Sequence, residues 1–221
     1  MRKKPNLDKR LARCEKIIPK EAERLSGAWK EIYGYQKLCL EIGCGKGSFI
    51  TETAKCNKDI LFVGIEREPG ALVMAAEKAL EQGIENVVFL DADAEKLCEV
   101  FSQGEVDGIY LNFSDPWPRR KQAKRRLTHS GFLSLYDKVL CEEGFIFFKT
   151  DNRKLFEFSL NSMSEYGLLL RNISLDLKES GIDNIMTEYE TRFTEMGMSI
   201  YRVEAYKSQG GISVEKPAQT L

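Results

Sequence analysis

Residues 114–126 read Ser-Asp-Pro-Trp-Pro-Arg-Arg-Lys-Gln-Ala-Lys-Arg-Arg, a carboxylate and a flat ring set between prolines and then a run of cations. The acid is Asp115 and the ring is Trp117. Six cations follow within eight residues: Arg119, Arg120, Lys121, Lys124, Arg125 and Arg126. An acid and an aromatic beside a basic ribbon suit a planar base carried on a phosphate backbone. Any single cation here is equally well read as a solvated surface charge. The grouping is what points to nucleic acid.

A second set of acids recurs at the ends of apolar runs. Glu41-Ile-Gly43-Cys-Gly45-Lys-Gly47 closes one such run and opens a helical segment. Gly43 and Gly45 permit a tight turn and close backbone approach to a ligand. Glu66 ends the second run, where an acid accepts from ribose hydroxyls, and Asp91 and Asp93 follow the third, where adenine recognition is expected. Charge then separates two cofactors. A dinucleotide would set its pyrophosphate over this turn, where Glu41 is unfavourable. S-adenosylmethionine carries a sulfonium and an ammonium, which acids at Glu41, Glu66 and Asp93 complement. The chain has no G-x-x-x-x-G-K-[ST] loop for a nucleoside triphosphate. The reading left standing beside the donor site is a structural turn with helix-capping acids.

These groups need a scaffold, and the pattern supplies one. Strands are expected at Leu38–Ile42, Leu61–Glu66, Val87–Leu90, Val106–Phe113 and Gly144–Lys149, with helical patterns between them. Pro69 suits a first helical turn, Leu72, Ala76, Ala79 and Leu80 are grouped on one face, and Gly83 stops that helix. Asn152 is set to cap another helix, with Leu155, Phe156, Ser159, Leu160 and Met163 along one side. Near-continuous apolar strands alternating with helices indicate a doubly wound, mostly parallel sheet covered on both faces. Gly167–Leu175 and Met198–Tyr206 add two strands, making seven, with the last antiparallel. The polar stretch of about 20 residues between them is functional or carries its own short helix.

At 221 residues and a net charge of −1, the chain reads as one α/β domain with a terminal extension, and as no general polyanion binder. Residues 1–37 nevertheless hold eleven cations against five acids. The expected division is a basic extension over 1–30, a methyltransferase domain over 31–207 and a flexible tail over 208–221, with the first 30 residues and the tail the most mobile parts. Six cysteines form no C-x-x-C pair and His129 is the lone histidine, which argues against structural zinc. Cys39 and Cys141 sit in or beside apolar runs and read as buried thiols of a reducing compartment. No apolar run approaches 18 residues, and no signal segment follows the basic N-terminus, so a cytoplasmic protein is expected.

Taken together, the acid after strand one, the acid ending strand two, Asp-Ala-Asp after strand three and Asp115-Pro-Trp-Pro after strand four resemble the bacterial tRNA (guanine-N7)-methyltransferase family. Thr150-Asp151-Asn152 and Thr187-x-Tyr-Glu190 ahead of Arg192-Phe193 sharpen the likeness, which runs from about Leu38 to Tyr206. It implies a Rossmann-like class I methyltransferase fold and transfer of a methyl group to guanine 46 in the variable loop of tRNA. It places donor contacts on Glu41, Glu66, Asp93 and Asp115. It places tRNA contacts on Arg119, on 121–126 (Lys121, Lys124, Arg125 and Arg126 among them), on Asp151, and on Thr187, Glu188, Tyr189 and Glu190. The chain departs from the family in having Arg119 where lysine is usual and Lys121-Gln122 where Arg-His is usual. An essential lysine-specific role at 119 is thereby put in doubt.

Guanine N7 carries a lone pair and no proton, so its methylation needs alignment and charge stabilisation but no general base. Asp115 is the expected catalytic carboxylate and Trp117 a wall of the base pocket, or else a core aromatic. Asp151 and Asn152 read as ligand contacts or as a helix cap, Arg192 and Phe193 as a brace for their loop, and His129 as a helix-start residue. No metal is expected, and the oligomeric state is left as monomer or homodimer. Two other functions remain open: an exocyclic-amine or small-molecule methyltransferase, and a non-catalytic RNA-binding protein on the same fold.

Overall fold

The computed structural model describes residues 6–208, apart from the side chain of Glu188. These residues build a seven-stranded sheet in the order β3-β2-β1-β4-β5-β7-β6. The strands are β1 Lys37–Ile42, β2 Ile60–Glu66, β3 Val87–Asp91, β4 Val106–Asn112, β5 Leu140–Thr150, β6 Leu169–Ser174 and β7 Tyr201–Tyr206. β1 to β5 pair in parallel, and β7 runs antiparallel between β5 and β6. The helices are α1 Leu7–Arg13, α2 Trp29–Tyr33, α3 Ser48–Cys56, α4 Pro69–Glu81, α5 Leu97–Val100, α6 Ser130–Val139, α7 Arg153–Tyr166 and α8 Glu188–Glu195. The doubly wound class expected from the sequence is the class observed.

Alternation along each strand divides the core in two. Leu38, Leu40, Leu61, Val63, Val88 and Leu90 point to one face, where they meet Trp29, Phe101, Tyr136 and Phe156. Cys39, Phe62, Val87 and Phe89 point to the other, against Ile50, Leu72, Ala76 and Cys14. Both faces are thus apolar, as a parallel sheet covered on both sides demands. The strand order reverses between β1 and β4, and in such a sheet the crevice opens beyond the strand C-termini at that point.

Local chemistry sets the helices that frame the crevice. Gly47 precedes α3 at φ +77°, and an added Cβ would lie 2.7 Å from the Ala75 Cβ, so glycine lets α3 approach α4. Glu68 caps α4 by accepting from the Ala71 N–H, with Pro69 in the first turn. Asn152 caps α7 by accepting from Leu155 N–H at 2.9 Å, and His129 caps α6 through Nδ1. The polar stretch between β6 and β7 carries α8.

Three expectations differ. The N-terminal segment is docked from its first described residues: Cys14 and Trp29 are fully buried and Ile17 nearly so. The Ile17 carbonyl accepts from the Phe89 N–H, Arg10 pairs with Glu77 of α4, and the Trp29 indole donates to the Val100 carbonyl at 2.9 Å. A buried tryptophan of this kind contributes about 3–5 kcal/mol, so residues 14–29 pack on the core and are not among the mobile parts; of the expected tail over 208–221, residues 209–221 lie outside the described residues. Leu80 is 39% exposed because eight residues carry it about 80° round α4 from Leu72. Cys141 is only partly buried, whereas Cys14, Cys39 and Cys44 are buried.

No group of metal-binding side chains and no helix long and apolar enough to cross a membrane occurs among the described residues.

Candidate active site

Two adjoining hollows open at the C-terminal edge of the sheet, sharing Gly43, Asn112 and Phe113 in their walls. The first, about 410 Å³, is lined by Glu66, Asp93, Asp115, Trp117 and Arg125 among others. The second, about 460 Å³, is lined by Glu41, Gly45, Phe49, Thr187, Tyr189 and Arg192 among others. Each volume falls within the range of small-molecule sites. Glu41, Glu66, Asp93 and Asp115, which come from four separate strand ends, are therefore gathered on one divided crevice.

Glu41 is the most constrained of them. It is 3% exposed, its Oε1 accepts from Asn112 Nδ2 at 2.8 Å, and its Oε2 is buried without a hydrogen-bond partner. Burial pushes this carboxyl up to about 8, against the opposing pull of the Asn112 bond, the Lys149 charge and the Ile50 N–H, which faces the carboxylate without completing a well-formed hydrogen bond to Oε2. A buried acid with an unused oxygen at the foot of a hollow suits a cationic ligand group, which would restore its ionisation. Glu66 is satisfied differently. Its two oxygens accept from the Gly45 and Glu68 N–H groups, each at 2.9 Å, so it ties the glycine turn to the start of α4. Asp93 caps a short turn through the Glu95 N–H and faces Arg67 at 3.6 Å, so part of its charge is already balanced.

Asp115 is exposed, on a loop whose backbone is strained: Phe113 lies at φ +51° and Trp117 at φ +40°. Bulky residues in this region cost roughly 1–3 kcal/mol each and need support from outside. Support comes from the ribbon. Arg125 stacks over the Trp117 ring at 4.7 Å, and Arg126 donates to the carbonyls of Pro116 and Trp117. Trp117 is half-buried at the wall of the first hollow and belongs to neither core cluster. Arg119, Arg120, Lys121, Lys124 and Arg125 are exposed.

The Thr187–Glu190 motif splits by burial. Thr187 and Glu190 form a capping box that starts α8, and Glu190 is 2% exposed. The Glu190 carboxylate accepts from Lys149 Nζ at 2.7 Å, and Lys149 also donates to Asn184 Oδ1 and the Ile185 carbonyl. Burial lowers the Lys149 amine, and Glu190 holds it up. Glu190 therefore faces inward, away from any ligand approaching from outside, and the expectation of a tRNA contact there does not fit its position. Thr187 keeps a place on the second hollow while capping α8. Tyr189 is 46% exposed, stacked on Phe193 at 4.2 Å and 5.1 Å from the Phe113 ring. Asp151, half-buried at the end of β5, raises the Tyr189 phenol further after burial has done so. The Glu188 side chain lies outside the described residues.

Asn112 and Lys149 were not singled out from the sequence, yet they pair in register on β4 and β5 and join Glu41 to α8. Both are polar residues closing apolar strands, and a lysine in a buried strand is itself a signal. Arg192, expected only to brace its loop, stands on the second hollow.

Comparison with known proteins gives the family. A family model described as a putative methyltransferase covers residues 35–203. The tRNA (guanine-N(7)-)-methyltransferase of Geobacillus kaustophilus is 48% identical over 209 residues, spanning 94% of this chain and 96% of that protein. The chain belongs to the tRNA (guanine-N(7)-)-methyltransferase family. The Macrococcus caseolyticus member is 47% identical over 206 residues, covering 93% of this chain and 98% of its own length. In fold, an antibiotic-related methyltransferase of known structure superposes with a TM-score of 0.63 at 21% identity, over 80% of this chain and 92% of that one. The family match contains every residue of the divided crevice.

Proposed function

We propose that the protein transfers a methyl group from S-adenosylmethionine to N7 of guanine 46, in the variable loop of tRNA. The observation that carries this reading is the placement of four carboxylates, one of them buried with an unused oxygen, on a crevice that runs out to the cationic ribbon. The activity named for the relatives agrees with it. With that substrate we infer a cytoplasmic protein.

When bound, the donor supplies a methyl group already activated by its sulfonium. Glu41 would hold its cationic end, and Glu66 and Asp93 its ribose and base, through lone pairs their backbone bonds leave free. Asp115 stands beside the place where positive charge appears on the purine, and a fixed carboxylate there stabilises that change. Trp117 walls the donor hollow, while Tyr189, stacked on Phe193 with the Phe113 ring tilted beside it, offers an aromatic surface on which an unstacked guanine can lie. The exposed cations Arg119, Arg120, Lys121 and Lys124 would grip phosphates and set the register of the tRNA. No residue has to remove a proton.

Incubation with labelled S-adenosylmethionine and unfractionated tRNA, followed by nucleoside analysis, tests the reading. 7-Methylguanosine mapped to the variable loop is expected. A methylated exocyclic amine, or no methylated nucleoside, would contradict it.

A further inference from the structure

We propose that Arg126 is a positioning residue for the loop that carries Asp115, and is not among the cations that hold tRNA phosphates. The proposal rests on the functional reading above for its catalytic part only. In the sequence Arg126 is the sixth member of a uniform basic ribbon. In space it is turned the other way. Its Nε donates to the Pro116 carbonyl at 3.0 Å and its terminal nitrogen to the Trp117 carbonyl at 3.1 Å. Those two carbonyls flank Trp117, the residue at φ +40°. The guanidinium also lies 4.3 Å from the Phe158 ring centroid on α7. Its own backbone is pinned, donating to the Ala123 carbonyl and accepting from the His129 N–H.

One planar fork thus spans two consecutive peptide carbonyls and is backed by a ring. Lysine, a point charge with no fork, cannot reproduce that geometry. Arg125 completes a clasp by stacking on the Trp117 ring at 4.7 Å, while standing on the first hollow. Asp115 lies one residue before the clasped segment. Arg126 lines neither hollow, so its influence on the reaction passes through the loop.

The test compares R126K and R126M with K124Q. Three quantities are read: tRNA affinity across a salt series, kcat against the KM for tRNA, and hydrogen–deuterium exchange of residues 113–118 in the free protein. Both Arg126 variants are expected to lower kcat by about ten- to a hundredfold, the scale of a misplacement near 1 Å. They should leave the salt slope at its wild-type value and speed exchange at 113–118. K124Q should reduce the salt slope by about one and leave that exchange unchanged. The proposal is overturned if R126M reduces the slope by about one and R126K restores it, or if exchange at 113–118 is unaltered in R126K. Should R126M fail to fold, R126K decides the matter, since it keeps the charge and the stem. Exchange needs no substrate, so a wild-type protein inactive on tRNA would sink the functional reading while this inference was still judged.

Discussion

At one end of the crevice, the proposed donor end, the charged groups are carboxylates at or just beyond strand ends of a parallel sheet, whereas at the other, the proposed acceptor end, they are cations that follow β4 or close β5. Glu41 is held by Asn112 of the neighbouring strand, and Glu66 by two backbone N–H groups. Across the crevice, the cations divide between outward and inward. Lys121 and Lys124 reach solvent, while Arg126 and Lys149 turn back to fasten the Asp115 loop and the start of α8. A rigid sheet can present ligand groups directly. A loop that must present an acid and an aromatic needs internal ties, and here the ties are cations.

The sharpest way to break this contrast is Asp115→Ala. A fixed charge used only as the purine becomes cationic should cost about 10²–10³ in kcat, with donor affinity changed far less. Near-normal turnover in single-turnover kinetics would place the catalytic charge elsewhere. Next in size is Lys149→Met, which leaves the Glu190 carboxylate buried without its cation. Removing one partner of such a pair costs about 3–5 kcal/mol, and the double variant K149M/E190M should recover much of that loss. Urea unfolding measures both, and a loss below about 1 kcal/mol for K149M would mean that α8 is not tied through this pair.

The donor end yields a smaller, pH-dependent effect. A carboxyl raised from 4.5 to about 8 binds its proton more tightly in the folded chain than in the unfolded one. Its contribution to stability is complete below about pH 4.5 and is lost as pH rises towards 8. A cationic ligand prefers the ionised form, so donor affinity should climb with pH and level off above about 8. Glu41→Gln removes both slopes, and comparing the two proteins by calorimetry cancels the titration of the donor itself. A wild-type affinity no more pH-dependent than that of E41Q would contradict the assignment.

The gathering of Glu41 and Glu66 at the crevice was largely legible in the sequence because its signals are local. An apolar run that ends in an acid gives the strand, its terminus and a carboxylate at the edge of the sheet at once, as at Glu41 and Glu66. The acceptor end was legible in kind and hidden in direction. Arg126 and Lys124 are alike in a run of cations, and only Phe158 and the carbonyls of a strained turn separate them. Glu190 looks like a free acid in a polar loop until Lys149, 41 residues away, is brought against it. The docking of Cys14 and Trp29 was concealed by the basic composition around them, which describes the outer surface of that segment and not its buried side.

The most direct measurement uses a tRNA that carries 7-deazaguanine at position 46, which removes the N7 lone pair and leaves the other edges of the base intact. Methyl transfer to that tRNA should fall to background while its affinity stays close to that of the unmodified tRNA. Transfer at an undiminished rate, with the methyl group mapped to an atom other than a guanine N7, would contradict N7 as the acceptor and, with it, the role given to the Asp115 carboxylate.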